Sequence, residues 1–341
     1  MNKFLLIVLV FFMHGLSPAW SQPTTNLVAA PKVAKPLNKL VFGVIAPRGI
    51  ETAVKNWQPF AAAMSAKLKI PVEIIAANDS KTILEGFKQG EIDLAWLGNV
   101  IALEVVESGS GAVFAQMITK SGGTGYKSVL IVHKNSKIQT LSDVLKPNGK
   151  LVFGDGEIKS TSGHLAPLYY AFVKNKVNDP ASLFQEIKHA NHRTNIMRVV
   201  DKEVDVATSN NEELAFFAAE KADLHARLRV IWTSPEIPQS PLVWRSGLPL
   251  TLKRQISKFV TTYGKSSEAE REVLAQLNGL SGFGWSSNAQ LIRIADLEMF
   301  NERHKLWNNS DLTPIELQAR EQQIIARASR LEIALRAVEK Y

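Results

Sequence analysis

The sequence contains no cysteine. This excludes disulfide bonds, metal sites built on thiolates and attachment to a membrane through a lipid-modified N-terminal cysteine. A chain without these supports must be held together by its apolar core. Its 341 residues, of which 45% are hydrophobic and 21% charged, are enough to build such a core.

Long apolar runs are also missing, except at the start of the chain. Lys3 precedes the apolar run Phe4–Met13, which is too short to span a bilayer, and Ala19-Trp20-Ser21 fits a small-x-small cleavage site. We therefore expect a signal peptide at 1–21 that is cleaved near Ser21, and a periplasmic location. The stretch 22–39, rich in Pro, Ala, Thr and Lys, is expected to be a flexible leader.

The usual signatures of enzymes and nucleic-acid binders are absent. There is no G-x-S-x-G or H-E-x-x-H motif, and Phe259 stands where a phosphate loop ending in Gly264-Lys265-Ser266 needs glycine. That segment instead predicts one helix ending at Gly264 and another beginning near Ser266. The formal net charge of +8 is scattered without a basic stripe, so we expect no nucleic-acid partner. We also expect no metal and no cofactor. Catalysis is not expected either, because a hydrolase using His192 or Glu212 would lack an activated nucleophile.

Apolar runs alternate with helical patterns along most of the chain. Strand-like runs at 40–45, 72–77 and 92–98 are separated by helical patterns at 53–68 and 82–89. This order predicts an α/β domain with a mostly parallel sheet covered by helices on both faces. A second set of the same units begins at 151–155, so we expect two α/β lobes around a cleft. The predicted parts are a first lobe at 40–134 and 235–310, a second lobe at 135–234, and a C-terminal helical extension at 311–341.

The C-terminal extension carries an apolar stripe. Thr313-Pro314-Ile315-Glu316 resembles a helix start, with an N-cap, proline in the first turn and an acidic residue. The stripe repeats at spacings of 4, 3, 4 and 3 through Ile324, Ala328, Leu331, Leu335 and Val338. Such a seam either packs on its own lobe or pairs with the same helix of a second subunit, giving a homodimer.

Three hydroxyl residues, Ser160, Thr161 and Ser162, stand between a strand-like run and a helix-like run in GDGEIKSTSGHLAP (154–167). Ligands of α/β folds bind outside the carboxyl ends of strands, where the free amides of the next helix attract anions. The turn is therefore a candidate site for a tetrahedral oxyanion. The alternative is ordinary N-capping by one of the three residues.

The chain resembles the periplasmic phosphonate-binding proteins of bacterial ABC importers. The resemblance covers nearly the full length. It rests on IDLAWLGN, VFAQ, GYKSVLIV, GDGEIKSTSGHLAP, NIMRVV-DKEVDVATSN and SPEIPQSPLVW, which follow in this order. It implies a type II periplasmic-binding-protein fold, a small phosphonate as ligand, and an inner-membrane permease with its ATPase as partners.

The resemblance also implies roles for individual residues. The phosphonate oxygens would be held by Ser160, Thr161, Ser162, Tyr126 and His192. The amine of 2-aminoethylphosphonate, the best-known ligand of the family, would face Glu212. Two positions depart from the family pattern: Ser80 replaces a second tyrosine on the phosphonate, and Ser240 replaces a second acid on the amine. Arg193 beside His192 would either be solvated or, if it turned inward, favour a more anionic ligand.

Two other functions remain open from the sequence. In the first, the cleft would bind phosphite, phosphate or a phosphate ester. In the second, the protein would present its ligand to a membrane sensor kinase.

Overall fold

The computed structural model describes residues 37–46, 49–146, 149–277 and 279–337, with Ser80 described by its backbone alone. The predicted signal peptide, the leader as far as residue 36 and Val338 lie outside these ranges. Within them, no helix is both long and apolar enough to cross a membrane.

The strands form two large sheets and one short ribbon. In chain order they are β1 Leu40–Ile45, β2 Val72–Ala77, β3 Leu94–Trp96, β4 Gly111–Thr119, β5 Gly125–Tyr126, β6 Ser128–His133, β7 Leu151–Asp155, β8 Phe184–His189, β9 Val206–Asn210, β10 Leu228–Thr233, β11 Ile237–Pro238, β12 Pro241–Arg245 and β13 Leu280–Trp285.

The α-helices are α1 Ile50–Leu68, α2 Ser80–Gln89, α3 Asn99–Glu107, α4 Leu141–Val144, α5 His192–Val200, α6 Asn211–Glu220, α7 Ala222–His225, α8 Leu250–Thr262, α9 Glu268–Gln276, α10 Ile292–Trp307 and α11 Pro314–Arg336. Wider π-helical turns occur at Thr161–Leu165 and Leu168–Phe172, and 3₁₀ turns at Val173–Asn175, Pro180–Leu183 and Asn288–Leu291. The Gly-Lys-Ser sequence joins α8 to α9, whose N-cap is Ser267, so the prediction of two helices around it is confirmed.

The first sheet has the order β13-β4-β12-β3-β1-β2, in which β1, β2 and β3 are parallel. Its strands are apolar runs because both faces are covered. Leu40, Phe42 and Val44 pack into a cluster with residues of α1 and α8. Val41, which points to the other face, packs with residues of α2, α3 and α11. This is the burial pattern expected for a parallel sheet between two layers of helices.

The second sheet repeats the arrangement, with the order β10-β6-β9-β7-β8 and β7, β8 and β9 parallel. In each sheet an antiparallel strand lies beside the three parallel strands: β12 in the first and β6 in the second. The predicted fold of two α/β lobes is therefore confirmed. β6 was assigned to the first lobe, which is wrong, because it pairs with β9 and β10 of the second sheet.

The two chain segments that connect the lobes run side by side. β5 and β11 pair antiparallel, with Tyr126 opposite Ile237, and the Gln239 amide donates to the Thr124 carbonyl at 2.9 Å. We call this pair of strands the crossing ribbon. It places Tyr126 and the residues after Pro238 at the junction of the two lobes.

The C-terminal helix α11 begins as predicted, with a capping box between Thr313 and Glu316. Leu331 and Leu335 are 1% and 2% exposed and belong to the core cluster on one face of the first sheet, with Ile324 and Ala328 packed against it. Of the two alternatives for the stripe, it packs on its own lobe. The described part of the stripe packs within one chain, with Leu331 and Leu335 buried and Ile324 and Ala328 partly buried, so the structure does not support the alternative of a homodimer through this stripe.

Candidate ligand-binding site

A cavity of about 190 Å³ lies where four strands of the two sheets end and helical segments follow them. β3 leads to α3, β7 to the turn Ser160–Ser162 (the hydroxyl turn), β8 to α5 and β9 to α6. The cavity is smaller than pockets for drug-sized ligands, which run from about 300 to 1,000 Å³. Helix N-termini carry partial positive charge and free amides, so this corner of the fold is suited to a small anion.

The walls of the cavity come from both lobes. They are formed by Ile45, Trp96, Gly98, Ile101, Tyr126, Glu157, Lys159, Ser160, Thr161, Ser162, Ala190, Asn191, His192, Arg193, Asn210, Glu212, Glu213, Phe216 and Ser240.

The three hydroxyls of the turn make different contacts. Ser160 is the N-cap, and its Oγ accepts a hydrogen bond from the Gly163 amide at 3.0 Å. Thr161 Oγ1 accepts from the Val100 amide of α3 at 3.3 Å, which joins the two lobes. Ser162 Oγ lies 3.0 Å from His192 Nε2. Capping therefore accounts for only one of the three hydroxyl residues.

The wide helical turn after Ser160 follows from Pro167. Proline has no amide hydrogen, so the Gly163 carbonyl, four residues earlier, lacks its helical partner. The Gly156 amide donates to that carbonyl instead, at 3.0 Å. The two backbones approach so closely that a Cβ atom on Gly156 would overlap Gly163. Glycine at both positions therefore allows the loop after β7 to hold the hydroxyl turn in place.

Tyr126 reaches the cavity from β5 of the crossing ribbon and is 8% exposed. Burial raises the pKa of its hydroxyl to about 12, with hydrogen bonding to Ser162 and Asn99 opposing the increase. The phenol thus keeps its proton at neutral pH and is available as a hydrogen-bond donor.

His192 is the first residue of α5, and its ring is a neutral group. Burial lowers the pKa of the imidazole to about 4, because a low-dielectric surrounding disfavours the cation. Its Nδ1 is buried and has no hydrogen-bond partner among the described residues, as is also true of Trp96 Nε1. A ligand oxyanion would offer acceptors to such groups.

The cavity wall also includes Glu212, in the first turn of α6. Gln239 Nε2 donates to Glu212 Oε1 at 2.6 Å, and the Ser240 amide donates to Gln239 Oε1 at 3.3 Å. Burial raises the pKa of the Glu212 carboxyl, and the bond from Gln239 opposes this. The carboxylate therefore already has one partner from the protein.

The cations of the cavity wall are paired with carboxylates. Arg193 Nε lies 2.7 Å from Glu213 Oε1 and Arg193 Nη2 lies 2.9 Å from Glu220 Oε2. Lys159 forms an ion pair with Glu104 of α3. Arg193 is thus neither a solvated residue nor a free charge. In the described wall, the groups available to an anion are therefore neutral donors and helix ends rather than unpaired cations.

Seven of the eight residues named from the sequence line this one cavity. The exception is Ser80, the first residue of α2, whose side chain lies outside the described part of the chain. Sequence reasoning missed Asn99 and Gln239. Asn99 follows β3 where the chain turns into α3, the same strand-to-helix signal that identified Ser160. Gln239 had no comparable signal.

Comparison with known proteins identifies the family and the fold. Residues 42–291 match the family model "ABC transporter, phosphonate, periplasmic substrate-binding protein". The chain is 39% identical over 293 residues, 86% of each protein, to the phosphonates-binding periplasmic protein of Escherichia coli K12. It is similar to the crystal structure of a binding protein component of an ABC phosphonate transporter from Pseudomonas aeruginosa, with a TM-score of 0.78 and 36% identity over 87% of this chain and 97% of that one.

A second solved structure shares the fold. PhnD1 of Prochlorococcus marinus in complex with methylphosphonate has a TM-score of 0.68 and 20% identity, covering 77% of this chain and 98% of its own. The relatives that carry the family assignment are substrate-binding components of transporters and not enzymes. This chain therefore belongs to the family of periplasmic substrate-binding proteins of phosphonate ABC transporters.

Proposed function

We propose that this protein captures a small phosphonate in the cavity and delivers it to an inner-membrane ABC permease powered by its ATPase. The observation that carries the proposal is that one cavity brings together the hydroxyl turn and His192, which both lie at the starts of helical segments, and Tyr126 of the crossing ribbon. An N-terminal signal peptide cleaved near Ser21 would bring the protein to the periplasm.

The phosphonate group would lie against the hydroxyl turn. Thr161 and Ser162 are 4% and 2% exposed, and Tyr126 is also buried, so their donors are shielded from water. Hydrogen bonds to a charged group contribute more than neutral ones, about 1.5–3 kcal/mol each. His192 would add a donor from its neutral ring, because an imidazole with a pKa near 4 keeps one N–H at neutral pH.

The amine of 2-aminoethylphosphonate would face Glu212 at the opposite end. The described wall has three carboxyl residues, Glu157, Glu212 and Glu213, of which Glu213 is paired with Arg193. Ser240 is also part of the wall and carries no charge. At Glu212 the ammonium would therefore lack a second acid at position 240, which favours an amine but less strongly than a pair of acids would.

The test is calorimetry of the purified protein with 2-aminoethylphosphonate, methylphosphonate, phosphite and phosphate. We expect both phosphonates to bind more tightly than phosphate or phosphite. A wild-type protein that binds neither phosphonate, or that prefers phosphite or phosphate, would overturn the proposal.

The hydroxyl turn is tested by Thr161→Ala. Loss of its hydroxyl should weaken every phosphonate by about tenfold or more, since one bond to a charged group contributes at least about 1.5 kcal/mol. Thr251→Ala is the matched control, because Thr251 is exposed on α8 and does not line the cavity. Equal affinities for Thr161→Ala and Thr251→Ala would show that the phosphonate group does not bind at this turn.

A further inference from the structure

Gln239 occupies an unusual place for a polar side chain. It lies between Pro238 and Pro241 directly after the crossing ribbon, yet it is 1% exposed. Its amide donates to the Thr124 carbonyl at 2.9 Å, and its carbonyl accepts from Gln290 Nε2 at 3.0 Å. The backbone of this residue is therefore fixed from both sides.

The side-chain amide is fixed as well. Its oxygen accepts from the Ser240 amide, which can only donate, and its nitrogen donates to the Glu212 carboxylate, which accepts when ionised. The two contacts determine which end of the Gln239 amide is the donor. The NH₂ group must point to Glu212, because the reverse orientation would bring two oxygens together and two N–H groups together.

We propose that Gln239 is a positioning residue that determines specificity: it holds the Glu212 carboxylate in place for a cationic group on the ligand. This inference rests on the proposed function, in which a phosphonate occupies the cavity. It assigns the ligand to phosphonates that carry an amine. In a cavity where Ser240 stands in place of a second acid, Gln239 supplies a neutral donor that orients Glu212.

The physical reason is the number of hydrogen bonds that a carboxylate can accept. An ionised carboxylate has about four lone-pair sites, so the bond from Gln239 leaves acceptors for an ammonium group. A buried glutamate without a donor would tend to take up a proton, because burial disfavours its charge, whereas a hydrogen bond to the ionised form favours it. The other titratable groups of the cavity wall are Tyr126, Glu157, Lys159, His192, Arg193 and Glu213.

Gln239→Met tests the inference, because methionine has a similar length but no hydrogen-bond donor. We expect the dissociation constant of 2-aminoethylphosphonate to rise about tenfold at neutral pH, as for the loss of a bond to a charged group. The constant for methylphosphonate should change less than about twofold, since that ligand has no amine. Gln318→Met is the control, because Gln318 is exposed on α11 and should change neither ligand.

Two further measurements separate positioning from simple structural damage. In a Glu212→Gln background, Gln239→Met should have no additional effect on the amine ligand, because there is no longer a charge to hold. The loss in Gln239→Met alone should also become larger as the pH is lowered, because burial raises the pKa of the Glu212 carboxyl and the bond from Gln239 no longer opposes this.

The outcomes distinguish this inference from the proposed function. If wild-type protein binds neither phosphonate, both fail. If it binds methylphosphonate but not the amine ligand, the proposed function stands and the inference fails. Equal losses for both ligands in Gln239→Met, or no loss at all, would also overturn it.

Discussion

His192 shows how a single residue can serve an anion site without a charge. Its ring bonds Ser162 and its Nδ1 is buried, at the start of α5, where the partial positive charge of the helix end disfavours a charge on the ring. Burial therefore keeps the imidazole neutral until the pH approaches 4. Under the proposed function, the site would recognise its ligand by the placement of neutral donors, which is more selective for shape than an exposed cation would be.

The depressed pKa of His192 makes stability depend on pH. The pKa is about 4 in the folded protein and 6.5 as the ordinary value, so on acidification the unfolded chain takes up this proton first. The contribution is therefore fully present above about pH 6.5 and is lost as the pH falls towards 4, by up to about 3 kcal/mol. Urea unfolding of ligand-free protein at pH 7 and near pH 4 should show this loss.

His192→Gln provides the comparison, because glutamine can bond Ser162 but does not titrate. Its free energy of unfolding should fall less between the two pH values than that of the wild type. The assignment would be contradicted if both proteins lost the same stability, which would place the responsible proton elsewhere.

Some residues of the candidate site could be identified from the sequence and others could not. Ser160, Thr161 and Ser162 could be found because a strand-to-helix turn is a local pattern, and one with three hydroxyl residues is conspicuous. Gln239 could not, because its partner Glu212 lies 27 positions away and meets it only through the pairing of the crossing segments. The pairing of Arg193 with Glu220 of α6 likewise depends on packing between helices.

At the scale of elements, α11 illustrates what an apolar stripe does and does not determine. The helix start and the stripe were both readable from spacing and capping. A stripe indicates only that one face is buried, so it could not distinguish a partner subunit from the chain's own first lobe. Arg327 adds a polar contact between α11 and the first lobe, because it donates two hydrogen bonds to Glu107 of α3, at 2.7 and 2.6 Å.

Replacing Leu331 with alanine should destabilise the protein by about 2–5 kcal/mol, because it leaves a cavity in the core cluster under α11. Ile333→Ala on the same helix is the matched control. Its side chain is 73% exposed, so the change should lie within about 0.5 kcal/mol. Urea unfolding of both variants measures the difference. Similar values for the two would mean that α11 does not pack on the first lobe.

The assignment of β6 failed for a related reason. Its sequence SVLIVH predicts a buried strand, and it is one. Its place in the second sheet depends on hydrogen bonds with β9, whose residues lie roughly 80 positions later in the chain. The local pattern therefore predicts the strand but not the point at which the chain crosses between lobes.

At the scale of the whole molecule, the ligand cavity and the junction of the lobes are one region. Tyr126 and Gln239 belong to or follow the crossing ribbon, while Thr161 of the second lobe contacts Val100 of the first. A ligand held by these groups contacts both lobes and their connection at once. Binding would therefore favour the arrangement in which the lobes meet, by the difference in affinity between that arrangement and any other.

The ion pair between Lys159 and Glu104 is a contact across the cleft outside the hydroxyl turn. Their side chains are 51% and 23% exposed, so the pair should contribute only about 0.2–1 kcal/mol to the closed arrangement. Lys159→Glu removes this attraction and introduces repulsion. We expect it to raise the dissociation constant of a phosphonate by at least about two- to fivefold, and less at high salt, where exposed charges are screened.

The charge-swapped double variant, Lys159→Glu with Glu104→Lys, tests whether the effect comes from the pair itself. It should recover most of the lost affinity, because the attraction across the cleft is restored with its direction reversed. Lys146→Glu is the control for net charge, since Lys146 pairs with Asp143 on the same side of the cleft. Calorimetry of the four proteins at low and high salt decides the matter. If the double variant binds as weakly as Lys159→Glu, then Lys159 acts through its own charge beside the anion and not by joining the two lobes.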